Sequence, residues 1–192
     1  TGAGWQDGDL FIVEADESDG THLALPIHAT ILTNIDVDHL DRYTSFENIV
    51  SSFEEYVMKI DGPKVLCSDD IAVANLAQKY AATTYGIVSE ADFRASQISF
   101  AHGASSFMVQ HRIDGAYVSL GKVSVPLRGQ HNVLNALAAI AMAMQCGVTF
   151  DECSRALSSF GGVARRYEKR GEDGGVTFID DYAHLPTEIA AV

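Results

Sequence analysis

Apolar runs and amphipathic segments alternate through the first ninety residues. Leu10-Phe11-Ile12-Val13 predicts a short buried strand that opens into the acidic loop Glu14-Ala15-Asp16-Glu17-Ser18-Asp19. Ala29-Thr30-Ile31-Leu32-Thr33-Asn34 predicts a second strand, followed by Ile35-Asp36-Val37-Asp38-His39-Leu40-Asp41. Phe46, Ile49, Phe53, Tyr56 and Val57 recur at helical spacing, which predicts a helix over about 45–60 with Ser45 as its N-cap. Lys64–Cys67 reads as a third strand. Asp69-Asp70 lead into a helix through Leu76 and Tyr80, and Thr83–Gly86 form a fourth strand. Strands alternating with helices argue for a mostly parallel α/β sheet flanked by helices.

The pattern changes near residue 93. Polar and apolar positions alternate to Leu127, with turns at His102-Gly103, Asp114-Gly115 and Gly121-Lys122, which predicts a small antiparallel β subdomain. Gly129-Gln130-His131-Asn132 breaks that pattern. An Ala-rich helix then runs over about 132–146 and closes at Gly147. Phe150 to Phe160 predicts another helix, with Asp151 and Glu152 at its favourable N-terminal end. Gly161-Gly162 marks a domain boundary, so 1–163 and 164–192 read as separate units. The second opens with a strand-like Ala164–Glu168. It continues with a strand at Val176–Ile179 and a helix that starts at Pro186. Two strands and part of a helix cannot bury a core, and a loop feeding a central strand is an unusual start. Both ends therefore read as cuts within a longer polypeptide.

Composition narrows the class. Hydrophobic residues make up 47%, which is enough for a core and excludes disorder. No apolar run reaches the roughly 20 residues that span a bilayer, and Thr1–Trp5 shows no signal-peptide pattern. The net charge of −13 argues against nucleic acid and anionic membranes as partners. An anionic substrate would then require a divalent cation or local arginine and lysine. Cys67, Cys146 and Cys153 are few, odd in number and scattered, and are read as reduced core thiols of a cytoplasmic protein.

Ligands of open α/β sheets bind beyond the carboxyl ends of the strands. Glu14 and His39 fall at such ends on sequential strands, where a carboxylate and an imidazole can hold Mg²⁺ or Mn²⁺. His39 can equally be a loop histidine that caps a helix, and Asp36, Asp38 and Asp41 can serve solvation and capping. Asn132 and Asn135 share one face of a first helical turn, where two amides can read a base edge. Asn132 can instead be an N-cap. Arg165-Arg166 follow the presumed hinge, placed either to reach a γ-phosphate or to balance Glu168 and Glu172. Asp180-Asp181-Tyr182-Ala183-His184 close a strand, as a ligand-facing cluster or as a turn before Pro186. No Gly-x-x-x-x-Gly-Lys-[Ser/Thr] phosphate loop occurs in the chain.

In order and spacing, these segments resemble the Mur ligases of peptidoglycan synthesis. The match runs through Glu14–Asp19, Thr33–Asp41, Gly129-Gln130-His131-Asn132-Val133-Leu134-Asn135-Ala136, Arg165-Arg166 and Asp180–Glu188. The acidic run Glu14–Asp19 favours the alanine-adding branch over the later ligases, the murein tripeptide recycling ligase and folylpolyglutamate synthase. The resemblance implies most of a P-loop-type central ATPase domain, its phosphate loop lying upstream, and the start of a Rossmann-like C-terminal domain. It implies ATP and Mg²⁺ (or Mn²⁺) as cofactors, and UDP-N-acetylmuramate and L-alanine as substrates joined through an acyl phosphate. Glu14 and His39 resemble metal ligands, Asn132 and Asn135 adenine contacts, and Arg166 the phosphate-reaching arginine. Asp181 resembles a ribose or interdomain contact, and Tyr182 and His184 part of the amino-acid and interdomain face. Leu185 stands where the family usually has a second histidine. A fragment of this extent is expected to be inactive alone. Another amino-acid-adding ligase and a non-catalytic ATPase-like binding module remain alternatives.

Overall fold

The strands between Thr30 and Val125 join into one mixed sheet. The computed structural model describes residues 3–4 and 8–192. Residues 1–2 and 5–7, part of the stretch without a signal-peptide pattern, lie outside the described residues. The six strands are β3 (Thr30–Leu32), β4 (Lys64–Cys67), β5 (Thr83–Gly86), β6 (Phe93–Ala101), β7 (Ala104–Ile113) and β8 (Ala116–Val125), in that spatial order. β3 to β6 pair in parallel, and β6-β7-β8 form an antiparallel meander. The meander therefore extends the parallel sheet through β5 and β6.

Helices cover the sheet as the apolar periodicity dictates. Between β3 and β4 lie a short α1 (Leu40–Tyr43), which the pattern did not predict, and α2 (Phe46–Met58). The Ser45 hydroxyl accepts the Asn48 N–H at 3.3 Å, so the expected N-cap is present. α3 (Ile71–Lys79) begins at Asp70, whose carboxylate accepts the Val73 N–H at 2.8 Å. α4 (Gln130–Gln145) crosses β3 through β7 and meets α5 (Phe150–Ser158). Its residues Val133, Leu137 and Ile140 are fully buried, each worth about 1.5–3 kcal/mol of apolar burial. Gly147, at φ 89°, ends α4 in a Schellman turn: its N–H bonds Met144 and that of Val148 bonds Ala143.

Three expectations change. Leu10–Val13 is not a buried strand of the sheet. Only Ile12–Val13 (β2) is extended, paired antiparallel with Ala3–Gly4 (β1), and Leu10, Phe11 and Ile12 are all exposed. They have no place in the six-stranded ladder and stand outside the hydrophobic core formed by the described residues. Cys146 is exposed because it sits at the C-cap of α4, whereas Cys67 and Cys153 are buried. Residues 164–167 form a turn rather than a strand, since Arg165 and Tyr167 adopt φ of 60° and 50°. Strand β9 starts at Glu168 and runs to Asp173, pairing with β10 (Val176–Asp180) as a separate two-stranded sheet before α6 (Pro186–Ala191).

Candidate site at the carboxyl ends of the strands

The acidic run divides its carboxylates between folding and display. Asp16 accepts the Ser18 N–H at 2.8 Å, and Asp19 accepts that of Thr21 at 2.9 Å. The Ser18 contacts hold the Asp16 carboxyl below its ordinary value, and the Thr21 contacts do the same for Asp19. Glu14 and Glu17 are left outside these turns. The Tyr43 hydroxyl donates to the Glu17 carbonyl at 2.5 Å and pins this loop against α1.

His39 precedes α1 with φ 51°, a left-handed conformation that few side chains adopt. It holds the N-cap position, but its imidazole makes no capping bond. Its Nε2 lies 3.4 Å from an Asp38 oxygen and 3.8 Å from Glu17. The structure thus brings Glu17 and Asp38 to His39, while Glu14 is exposed and makes no hydrogen bond or ion pair among the described residues. No group of three or more His, Cys, Asp or Glu among the described residues is arranged to hold a metal.

The second part of the site is the start of α4. Its N-cap is Gly129, so the helix begins two residues earlier than the pattern predicted and Asn132 is not the cap. The Asn132 Nδ2 donates to the Arg128 carbonyl at 2.7 Å and lies 2.9 Å from His131 Nε2. Asn135, one turn on, is exposed. His131 is half-buried, and burial pushes its pKa below the ordinary value; Asp181 opposes that shift and Arg166 adds to it.

Asp181, Tyr182 and His184 link these two parts. The Asp181 carboxylate accepts the Ala183 N–H at 2.7 Å and the Tyr167 N–H at 2.6 Å, and the Ala183 bond leads in holding its pKa down. The guanidinium groups of Arg165 and Arg166 lie 4.8 and 5.8 Å from the centre of the Tyr182 ring. His184 Nε2 reaches Asp38 at 3.6 Å, and the Thr187 hydroxyl donates to Asp36. The Tyr182 carbonyl, then Glu188 and Asp38, push the His184 pKa up. Residue spacing missed Glu17 and His131 as participants. Glu17 was one of four acids in the run Glu14–Asp19, and only the Gln130-His131-Asn132 adjacency pointed to His131.

The Mur ligase middle domain profile matches residues 5–143. A UDP-N-acetylmuramate--L-alanine ligase of Geobacter sp. (strain M21) is 43% identical over 188 residues, covering 96% of this chain and 40% of that protein. One from Methylocella silvestris is 45% identical over 192 residues, covering 96% and 41%. The chain thus spans about two fifths of the length of these relatives. Among solved structures, the UDP-N-acetylmuramate-alanine ligase MurC of Thermotoga maritima superposes with a TM-score of 0.78 at 30% identity, over 96% of this chain and 41% of that one. MurF from Acinetobacter baumannii shares the fold, with a TM-score of 0.75 at 24% identity over 91% of this chain and 38% of that one.

Proposed function

The chain belongs to the Mur ligase family, and we propose that it is part of an ATP-dependent ligase that joins L-alanine to UDP-N-acetylmuramate in peptidoglycan synthesis. The geometry that supports this is the convergence of the β3 loop, the N-terminus of α4 and the 181–188 segment on one region. The identity to ligases of that name supports the choice of substrates. In this reading 1–163 is most of the central domain and 164–192 opens the next.

The γ-phosphoryl group of ATP passes to the sugar's carboxylate, giving an acyl phosphate and ADP. The alanine amine then attacks the acyl carbon, and phosphate leaves from a tetrahedral intermediate. Negative charge gathers on the transferred group, so cationic partners matter most. Arg166 follows the Gly161-Gly162 break and supplies a guanidinium to the phosphate. Asn132 and Asn135 face the adenine, Asp181 faces the ribose or the adjoining domain, and Tyr182 and His184 line the amino-acid side.

The donors in the loops after β2 and β3 are of a chemistry that fits a hard cation. Mg²⁺ takes one or two protein ligands and completes its shell with phosphates and water. Glu14 and His39 would hold it, with Glu17 and Asp38 adjoining. When bound, it would neutralise charge on the phosphate oxygens.

The test is ligation by the full-length protein offered L-alanine, serine, glycine, glutamate or diaminopimelate, with products identified by mass. Adduct formation with L-alanine is expected. Product with glutamate or diaminopimelate alone would assign a different ligase, and no product with any amino acid would leave a binding module. The 192-residue chain by itself is expected to form none. Glu14→Ala and His39→Ala should each lower turnover at saturating ATP in a folded protein, and unchanged turnover in both removes the metal assignment.

A further inference from the structure

Resting on the reading that the nucleotide base meets Asn132 and Asn135, we propose that His131 is a positioning residue that locks the Asn132 amide. The lock leaves only the Asn132 carbonyl oxygen free for the base, and so selects adenine over purines with an oxygen at position 6.

A free asparagine can present either its oxygen or its nitrogen to a base edge. Here the choice is made by neighbours. Nδ2 lies 2.7 Å from the Arg128 carbonyl, which can only accept, so this atom must be the amide nitrogen. Its second hydrogen points to His131 Nε2 at 2.9 Å. An amide nitrogen does not accept, so Nε2 must be unprotonated and the ring neutral with its proton on Nδ1. Both amide hydrogens are then spent. Oδ1 has no hydrogen-bond partner among the described residues.

Three features hold the ring in that state. It folds over Gly129 so closely that a Cβ there would stand 2.5 Å from its Cε1. It is half-buried, and burial disfavours its charged form. Arg166 acts in the same direction, against the carboxylate of Asp181. Asn135 is exposed and without a hydrogen bond among the described residues, so it keeps both a donor and an acceptor. The pair therefore offers a fixed acceptor to the adenine amino group and an adaptable amide beside it. An oxygen at position 6 would set lone pair against lone pair at Oδ1.

The test uses the full-length protein with ATP and with inosine triphosphate, which carries oxygen in place of the 6-amino group. For His131→Ala we expect KM for ATP to rise, and the ATP-over-inosine preference in kcat/KM to fall, by about tenfold each. Its kcat should stay within about twofold, since uniform binding is what is lost. His131→Gln returns an acceptor and should restore the preference. In the parent protein KM for ATP should climb as the pH falls and His131 gains a proton, whereas in His131→Gln it should stay flat. A folded His131→Ala with unchanged preference overturns the lock. If that variant does not fold, a His131→Gln protein whose KM still follows the parent's pH profile overturns it instead. Asn132→Ala separates the two layers. If it raises KM while His131→Ala does not, the lock fails and the base reading stands. If neither changes KM, the base reading itself fails.

Discussion

Replacing Gly129 by alanine should damage nucleotide affinity through a side chain two residues away. Gly129 caps α4 with φ 101° and ψ 148°, a region essentially closed to residues with a Cβ. The backbone strain alone should cost about 1–3 kcal/mol. The new methyl group would also stand 2.5 Å from Cε1 and 2.8 Å from Nδ1 of His131. The imidazole is the far end of a rotatable side chain, so it can swing away, and doing so takes Nε2 off Asn132. Two separable effects follow. The melting temperature should fall by roughly 2–4 °C per kcal/mol of strain, read by calorimetry on the full-length protein. KM for ATP should rise by about as much as in His131→Ala, near tenfold. In the double variant with His131→Ala the clash has no partner, so KM should rise no further while the melting penalty persists. A Gly129→Ala protein with lowered melting temperature and unchanged KM would refute the coupling. An unchanged melting temperature would refute the strain.

Three other outcomes are expected. Asp69→Ala should lose about 2–3 kcal/mol in urea unfolding, because its carboxylate accepts the N–H groups of Ile87 at 2.6 Å, Val88 at 3.1 Å and Ser89 at 2.8 Å; a loss under about 0.5 kcal/mol would contradict that anchoring. Leu137→Ala should cost about 2–5 kcal/mol by leaving a cavity between α4 and the sheet, and a melting temperature like the parent's would show that the site collapses without penalty. His22 is 2% exposed between Phe53 and Tyr56, and burial holds its pKa below the ordinary 6.5. The folded state therefore binds fewer protons than the unfolded chain, so this contribution is full above 6.5 and fades as the pH falls towards the lowered folded value. Glu17 and Glu55 oppose the shift and Arg42 reinforces it. Stability measured from about pH 7 to about pH 4.5 should lose this slope in His22→Phe, and an identical slope would refute the assignment.

What the residue pattern made legible is what short-range physics decides. Ser45 caps α2 and Gly147 closes α4, because a cap needs only its own few neighbours. Val65, Leu66 and Cys67 read as a central strand because every position is apolar, and the structure buries all three. Leu10–Val13 reads identically and fails, because burial depends on which strands find ladder partners, and apolarity does not carry that information. The site was legible in its regions and less so in its pairings. Spacing placed Glu14 and His39 at strand ends, yet Glu17 is the glutamate beside His39. The choice was made by the Tyr43 bond to the Glu17 carbonyl, a contact 26 residues apart in sequence. His131 was passed over for a similar reason. Its role depends on a ring folded back over Gly129, which spacing cannot express.

On the proposed reading, the charge balance bears on how an acidic chain can present a site for a polyanion. At −13 overall, carboxylates outnumber the arginines and lysines and offer each of them an ion-pair partner. Among the described residues the arginine ion pairs are made by Arg112 with Glu90 and by Arg170 with Glu168 and Asp180. Arg165 and Arg166 instead rest on the face of Tyr182. A carboxylate partner would cancel a guanidinium's charge towards a phosphate, whereas an aromatic face orients it and leaves the charge intact. The Asp181 oxygens accept the amides of Tyr167 and Ala183, and Arg166 also helps to hold that carboxyl's pKa down, with no close ion pair between the two among the described residues. On the proposed reading, that carboxylate shapes the turn that carries Arg166, while the face of Tyr182 rather than a close ion pair orients the guanidinium for a phosphate.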